Sequence, residues 1–303
     1  MRLVTGVPEL RGELLDARRQ GRIIGLVPTM GALHDGHLSL IRRAREQCDV
    51  VVVSLFVNPA QFNDASDLAA YPRDTERDAR LAAGEGVDIL FAPSETEVYP
   101  SGFATRISVA TITENLEGVS RGRAHFDGVT TLVAKLLNMV GPEVAYFGQK
   151  DAQQAAVIRR LVRDLNLPVR IEVCPTVRDS DGLALSSRNA LLSPSERDRG
   201  TALHRALWAI SQAVQAGERD PAAARAAGLA ELERSGVTPE YLEMVTPDTL
   251  ERVERIEDDV LAVIAAPVGP TRLIDNILIQ LAPTPADGVG ASHQRSGLNA
   301  QTA

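Results

Sequence analysis

Two histidines set three residues apart are the sharpest chemical feature of this chain. His34 and His37 lie in Pro28-Thr29-Met30-Gly31-Ala32-Leu33-His34-Asp35-Gly36-His37, between a continuous apolar run and a stretch with helical spacing. Three residues apart across a first helical turn, both imidazoles face one side. The unpaired backbone N–H groups and the positive end of the helix dipole point the same way, which makes an anion site. Gly36 omits a side chain where a nucleotide must approach the backbone closely. The dipole disfavours an imidazolium and a bound phosphate favours it. In either state the rings can donate hydrogen bonds to phosphate oxygens as charge develops. The same pair also fits two metal ligands, although no further Cys/His cluster adjoins it, or ordinary helix capping.

Three more clusters fall where a strand meets a loop or helix. Asn58 and Gln61, within residues 56–62, are neutral amides suited to orienting a polar, hydroxylated substrate, though Asn-Pro is also plain turn chemistry. Tyr71-Pro72-Arg73 fits a surface turn. In Phe147-Gly148-Gln149-Lys150-Asp151-Ala152-Gln153-Gln154, glycine marks the turn and Lys150 stands at the anion-binding end. Gln154, one turn on, can face the same cleft. The phosphate-binding pattern GxxxxGK[ST] is absent. Leu185-Ser186-Ser187-Arg188-Asn189 offers two hydroxyls and a guanidinium, either a phosphate clamp or a Ser-rich turn. His125 sits in a basic loop with Arg121 and Arg123 that could close on an anion, whereas His204 lies among Ala and Leu and fits packing or surface. No GxGxxG follows the first strand, no GxSxG elbow occurs, and neither cysteine has a nucleophile's surroundings.

The elements that must position these residues alternate. Residues 23–27 form a continuous apolar run and hence a buried strand. Residues 36–48 place Leu38, Ile41, Ala44 and Cys48 at spacings of three and four, an amphipathic helix, and 50–57 form the next buried strand. Thr75-Glu76-Arg77-Asp78 fits an N-cap followed by an acidic residue, opening a helix to about residue 83. Strands at 88–92, 144–147 and 169–173 and helices at 128–140 and 152–165 complete the alternation. It predicts a doubly wound, Rossmann-like α/β domain whose parallel strands carry ligands at their carboxyl ends. Beyond about residue 176 the pattern changes. Ser193-Pro194-Ser195-Glu196 starts a helix predicted to reach residue 216, an Ala-rich helix spans 221–234, and strand-like runs follow at 241–245, 260–266 and 272–280. The expected division is 1–176, a smaller α+β lid domain at 177–283 with an antiparallel sheet, and a disordered tail at 284–303 in which His293 carries no signal.

Composition sets the outer bounds. The 303 residues are 44% hydrophobic and 24% charged, and 32 basic against 40 acidic residues give a formal net charge of −8. That sign disfavours nucleic acid as the main partner. Only Cys48 and Cys174 occur, in no zinc or disulfide spacing, and no apolar stretch approaches membrane-spanning length. The expectation is a soluble, reduced, cytoplasmic protein.

Jointly these segments are specific. PTMGALHDGH, FVNPAQF, AYPRD, HFDGV, FGQKDAQQ and ALSSRN, in this order and spacing, closely resemble the pantoate–β-alanine ligase family, from Gly25 to about Leu281. The His-x-Gly-His element alone indicates only the wider nucleotidyltransferase superfamily. The resemblance implies a cytoplasmic homodimer of coenzyme A biosynthesis. Such enzymes use Mg2+ and ATP to activate pantoate as pantoyl adenylate, releasing pyrophosphate, after which β-alanine displaces AMP. It implies ATP binding by Pro28, Thr29, Met30, His34, Gly36 and His37, and by Gly148, Lys150, Asp151, Val177, Leu185, Ser186, Ser187 and Arg188. Pantoate or β-alanine binding falls to Asn58, Gln61, His125 and Gln154. Catalytic roles fall to His34, His37, Lys150 and Arg188, with His37 the usual acid; the Mg2+ ligands stay unassigned. Two positions depart from the family's pattern: Gln149 stands where Glu is common, and Ala152 where Tyr is common. The other readings are a different nucleotidyltransferase sharing the histidine motif and a non-catalytic ATP sensor. The amide-bearing loops favour a carboxylate substrate with hydroxyls.

Overall fold

In the computed structural model, residues 1–281 are described; the tail expected at 284–303, with His293, lies outside them. The strands β1 (Arg2–Val4), β2 (Ile24–Thr29), β3 (Val50–Leu55), β4 (Ile89–Phe91), β5 (Val144–Gly148) and β6 (Arg170–Cys174) form one sheet in the order β1-β4-β3-β2-β5-β6. Every pairing in it is parallel. The pleat sorts the unbroken valine run of β3. Val50 and Val52 join an apolar cluster with the helices Val7–Arg19 and Glu117–Val140, and Val51 and Val53 join another with Asp35–Gln47 and Thr75–Gly84. Both faces are covered, so the strand carries no polar alternation.

Chain order reverses between β2 and β5, because β2 leads to β3 on one side and β5 to β6 on the other. β2 pairs with β5 only through Gly25 and Leu26, yet follows β3 as far as Thr29. The two strands therefore part toward their carboxyl ends and leave a crevice at the switch point. Pro28 lies on the parted stretch, where β2 has no ladder to β5 for a missing N–H to break.

Several elements differ from expectation. β1 and the helix Val7–Arg19 are additions; the strand is too short for a periodic signal, while the helix buries a stripe of Leu10, Leu14 and Ala17. The helix expected from 128 begins at Glu117 and carries a non-helical Gly122. Asp74, not Thr75, caps the helix Thr75–Gly84. The helix expected to run to 216 is divided into Pro194–Gly200, opened by the Ser193/Glu196 capping box, and Ala202–Gln215.

The strands β7 (Tyr241–Val245), β8 (Val260–Val268) and β9 (Thr271–Ile279) form an antiparallel sheet over a core shared with Ala202–Gln215 and Pro221–Arg234. A separate apolar cluster joins Phe126, Ala152 and Val157 to Val245, Leu261 and Val263. It brings β9 alongside the turn that follows β5.

Candidate active site

A cleft of about 270 Å³ opens where β2 and β5 part, bordered by Ile274, Asp275 and Asn276 of β9. Its centre is the histidine pair, whose rings lie 4.1 Å apart between centroids. His34 is the N-cap of Asp35–Gln47, and its Nδ1 accepts the Gly36 N–H at 3.2 Å. His37 Nδ1 in turn accepts the His34 N–H at 3.4 Å. Each ring thus uses Nδ1 as an acceptor, so the neutral tautomer carries its proton on Nε2. Burial, then repulsion from His34, lowers the His37 pKa to about 3, and burial followed by Lys150 lowers that of His34. Both are neutral donors near pH 7, not cations. Gly36 borders the cleft and has a further reason beside the one read in sequence: a Cβ there would lie 2.8 Å from Cε1 of the folded-back His34 ring.

The loop before this helix is held from outside. Asp78, almost fully buried, accepts the backbone N–H groups of Ala32 and Leu33 at 2.8 Å each. Ala32 has φ 51°, a conformation uncommon outside glycine, so the carboxylate stabilises a strained turn. The Thr29 hydroxyl bonds to the Ser54 carbonyl at 2.7 Å and is turned to structure.

On the amide-bearing side, Asn58 is corrected. It is fully buried and does not border the cleft. Its Nδ2 donates to Gln61 Oε1 and the Gly128 carbonyl, both at 3.0 Å, and its Oδ1 accepts from Ala60 N–H and from Tyr99 OH at 2.8 Å. With its amide satisfied, Asn58 orients Gln61 and leaves the Gln61 Nε2 donors for the cleft. The backbones of Ala60 and Gly128 approach so closely that a Cβ on Gly128 would stand 2.3 Å from the Ala60 carbonyl oxygen. His125 has the opposite polarity to the histidine pair. Its Nδ1 donates to the Gln61 carbonyl at 2.7 Å, burial lowers its pKa, and Nε2 is left as an acceptor.

Lys150 and Asp151 lie on the turn after β5, with Lys150 mostly buried and 3.6 Å from the half-exposed Asp151 carboxylate. Gln149 donates to Asn276 Oδ1 at 3.0 Å, a bond a glutamate carboxylate could not make. Val177 and Leu185 are joined by a backbone bond of 3.0 Å, and Ser186 caps the turn carrying Ser187 and Arg188. Arg188 forms no ion pair among the described residues. Of the residues expected to bind substrate or take part in catalysis, Asn58 alone stands off the cleft; Pro28 to Met30, both histidines, Gly36, Gln61, His125, Gly148, Lys150, Asp151, Gln154, Val177 and Leu185 to Arg188 border it.

Sequence reasoning missed other residues there. Tyr71, taken for a surface turn, borders the cleft beside Ser187 and Arg188, and packs edge-on against Phe62. Burial pushes the Glu117 carboxyl up, but Arg272, Tyr241 and Arg121 together bring it down to about 2. Arg272 grips it at 2.7 and 2.8 Å, a tie from the N-terminus of its helix to β9. The signal was present only as scattered polar residues, because Tyr241 and Arg272 lie over a hundred positions from Glu117 and only Arg121 is near it in the chain. Among the described residues, no group of three or more His, Cys, Asp or Glu could hold a metal ion. Glu117 and Asp275 are engaged by arginine, which leaves Asp151 as the accessible carboxylate on the cleft.

The sequence profile of pantoate–β-alanine ligases matches residues 2–278. The chain belongs to that family. The ligase is 52% identical to the pantothenate synthetase of Moorella thermoacetica over 93% of this chain and 99% of that one. It is 51% identical to pantothenate synthetase 1 of Bradyrhizobium diazoefficiens over 94% of this chain and 100% of that protein. The crystal structure of the Thermus thermophilus enzyme superposes with a TM-score of 0.87 at 45% identity, over 93% of this chain and 100% of that one. The Francisella tularensis enzyme, solved with β,γ-ATP and β-alanine, matches at 0.76 and 35% over 94% and 100%. The reaction of this ligase joins pantoate to β-alanine at the expense of ATP. Among the described residues, no helix is long and apolar enough to cross a membrane.

Proposed function

We propose that one cleft performs both halves of this reaction with the residues just described. In the first, a pantoate carboxylate oxygen bonds to the α-phosphorus of ATP as the bond to the pyrophosphate oxygen breaks. In the second, the β-alanine amine attacks the acyl carbon, AMP leaves, and the amine gives up a proton. Phosphoryl transfer of this kind depends on positioning and charge stabilisation more than on covalent help. His34 and His37 supply neutral Nε2–H donors, Lys150 and Arg188 supply cationic ones, and the helix N-terminus adds its own N–H groups. Gln61 and Gln154 orient the pantoate hydroxyls and carboxylate. His125 Nε2, an acceptor, receives a hydrogen bond from the β-alanine amine. Asp151, the accessible carboxylate on the cleft, would help hold the Mg2+ of Mg-ATP, which would supply charge neutralisation at the phosphates.

The observation that carries this reading is the segregation of donors and acceptors in one cleft. ATP and β-alanine as ligands are supported by the Francisella relative's complex. An acyl adenylate hydrolyses readily, so residues 177–281 act as a lid that keeps water out. The enzyme works as a homodimer in the cytoplasm, in line with the family resemblance; light scattering on the purified protein checks the dimer. The deciding assay is AMP formation from Mg-ATP and pantoate, with and without β-alanine. Stoichiometric AMP and pantothenate with all three substrates, and pyrophosphate–ATP exchange with pantoate alone, are expected. AMP without pantothenate would move the activity to another carboxylate, and ATP binding without AMP would make the protein a sensor.

A further inference from the structure

Lys150 stands on a short turn that has no side-chain cap of its own. What holds the turn comes from far along the chain. Asn276 in β9 is 4% exposed, and its Nδ2 donates to the carbonyls of Gln149 and Lys150 at 2.9 Å each. Its Oδ1 accepts from Gln149 Nε2 at 3.0 Å. Both N–H bonds and the carbonyl of one amide therefore face a single turn. The neighbouring Asp275 takes the Arg178 guanidinium at 2.6 and 3.0 Å, and Arg178 donates to the Gly182 carbonyl at 3.2 Å. Arg178 also pairs with Ala184 in an isolated antiparallel bridge, immediately before the segment that ends in Arg188.

We propose that Asn276 is a positioning residue for Lys150 in the adenylation step, and that Asp275–Asn276 keeps Lys150 and Arg188 in one register with the C-terminal sheet. The inference rests on the reading above that Lys150 meets the transferring phosphate. A lysine is a point charge on a flexible four-carbon stem, so its placement depends on how firmly its backbone is held. The turn's two carbonyls need two donors in one plane and Gln149 needs an acceptor, which the primary amide of asparagine supplies together. Aspartate of the same size would set carboxylate oxygens against both carbonyls. One dipeptide of β9 thus transmits any shift of its sheet to both cation-bearing segments.

The test is a double-substitution cycle read by pyrophosphate–ATP exchange with pantoate. Asn276→Ala is expected to lower kcat by about 10- to 100-fold, the scale for a reacting group displaced by an ångström, while KM for pantoate moves by less than about threefold. In a Lys150→Ala enzyme the same substitution should change the residual rate by less than about threefold, because the group it positions is gone. Equal losses in both backgrounds would make Asn276 a general structural residue and overturn the proposal, as would no loss in the unaltered background. Should the alanine variants fail to fold, Asn276→Asp, which keeps the volume, is expected to show the same dependence on Lys150. A Lys150→Ala enzyme as fast as the unaltered one would refute the role of Lys150 itself. That single variant reads out separately, and the inference would fall with it.

Discussion

Replacing His37 by glutamine and, separately, by asparagine distinguishes the two nitrogens of its ring. The asparagine Oδ1 reaches roughly where Nδ1 lies and keeps an acceptor for the His34 N–H, bonded at 3.4 Å in the native site. The glutamine Nε2 reaches roughly where the ring Nε2 lies and keeps the donor. Because burial lowers the ring pKa to about 3, His37 at neutral pH is expected to act as an N–H hydrogen-bond donor and not as a proton source. Loss of one such donor to developing charge typically lowers the rate by about 10²–10³, or roughly 3–4 kcal/mol. His37→Asn is therefore expected to lose that factor in kcat for pyrophosphate–ATP exchange. His37→Gln should stay within about tenfold of the unaltered enzyme, the equivalent of roughly 1.4 kcal/mol for an imperfectly placed donor. The pH profile adds an independent readout. An acid catalyst loses activity as pH rises through its pKa, whereas a neutral donor gives no such limb between pH 6 and 8. If His37→Gln is as slow as His37→Asn, and an alkaline limb of the native profile vanishes in both, His37 transfers a proton and the reasoning from tautomer and burial is wrong.

The same ring makes the fold sensitive to acid. Its folded value of about 3 lies below the free value of 6.5, so protonation favours the unfolded chain. The contribution is whole above pH 6.5 and declines as pH falls toward 3, amounting at pH 5 to a loss of roughly 2 kcal/mol. Urea unfolding at pH 7 and pH 5 should show that difference shrink by about this amount in His37→Asn; an unchanged difference would contradict the burial. Gly128→Ala forces the Glu117–Val140 helix away from the Ala60 carbonyl, and should cost about 1–3 kcal/mol while raising KM for pantoate through Gln61. A normal KM in the folded variant would separate Gln61 from that contact. Asp78→Asn leaves one acceptor oxygen for the Ala32 and Leu33 N–H groups, so thermal melting should register a loss of about 1–3 kcal/mol. KM for ATP should rise with it, and an unchanged KM would show that the histidine loop holds its shape unaided.

Local chemistry made much of this protein legible before any tertiary structure was known. The valine run of β3, the helix spacing of Leu38, Ile41 and Ala44, and the Ser193/Glu196 capping box each act through near neighbours, so the sequence carries them directly. Alternation of such segments was enough to predict a parallel sheet with ligands at its carboxyl edge, and turn-borne residues such as His34, His37, Lys150 and Arg188 fell on that edge. The motifs also carried the family. What sequence spacing could not convey was which polar group meets which. Asn58 looked like a substrate ligand because its type and loop suit one, and only the Tyr99 hydroxyl and Gly128 carbonyl show its amide fully occupied. Gly36 looked like room for a nucleotide, and only the fold shows that the ring of His34 also leans against it. Asp78, Glu117 and Asn276 carry no local signature, since their partners lie far away in the chain and meet them only when helices and β9 close on the parallel sheet. Sequence alone determined most of the elements, the edge and the family, because those follow from short-range periodicity and motif. The protonation and tautomer of each histidine, and the placement of Lys150, were decided by tertiary structure, because burial and hydrogen bonds between distant segments set them.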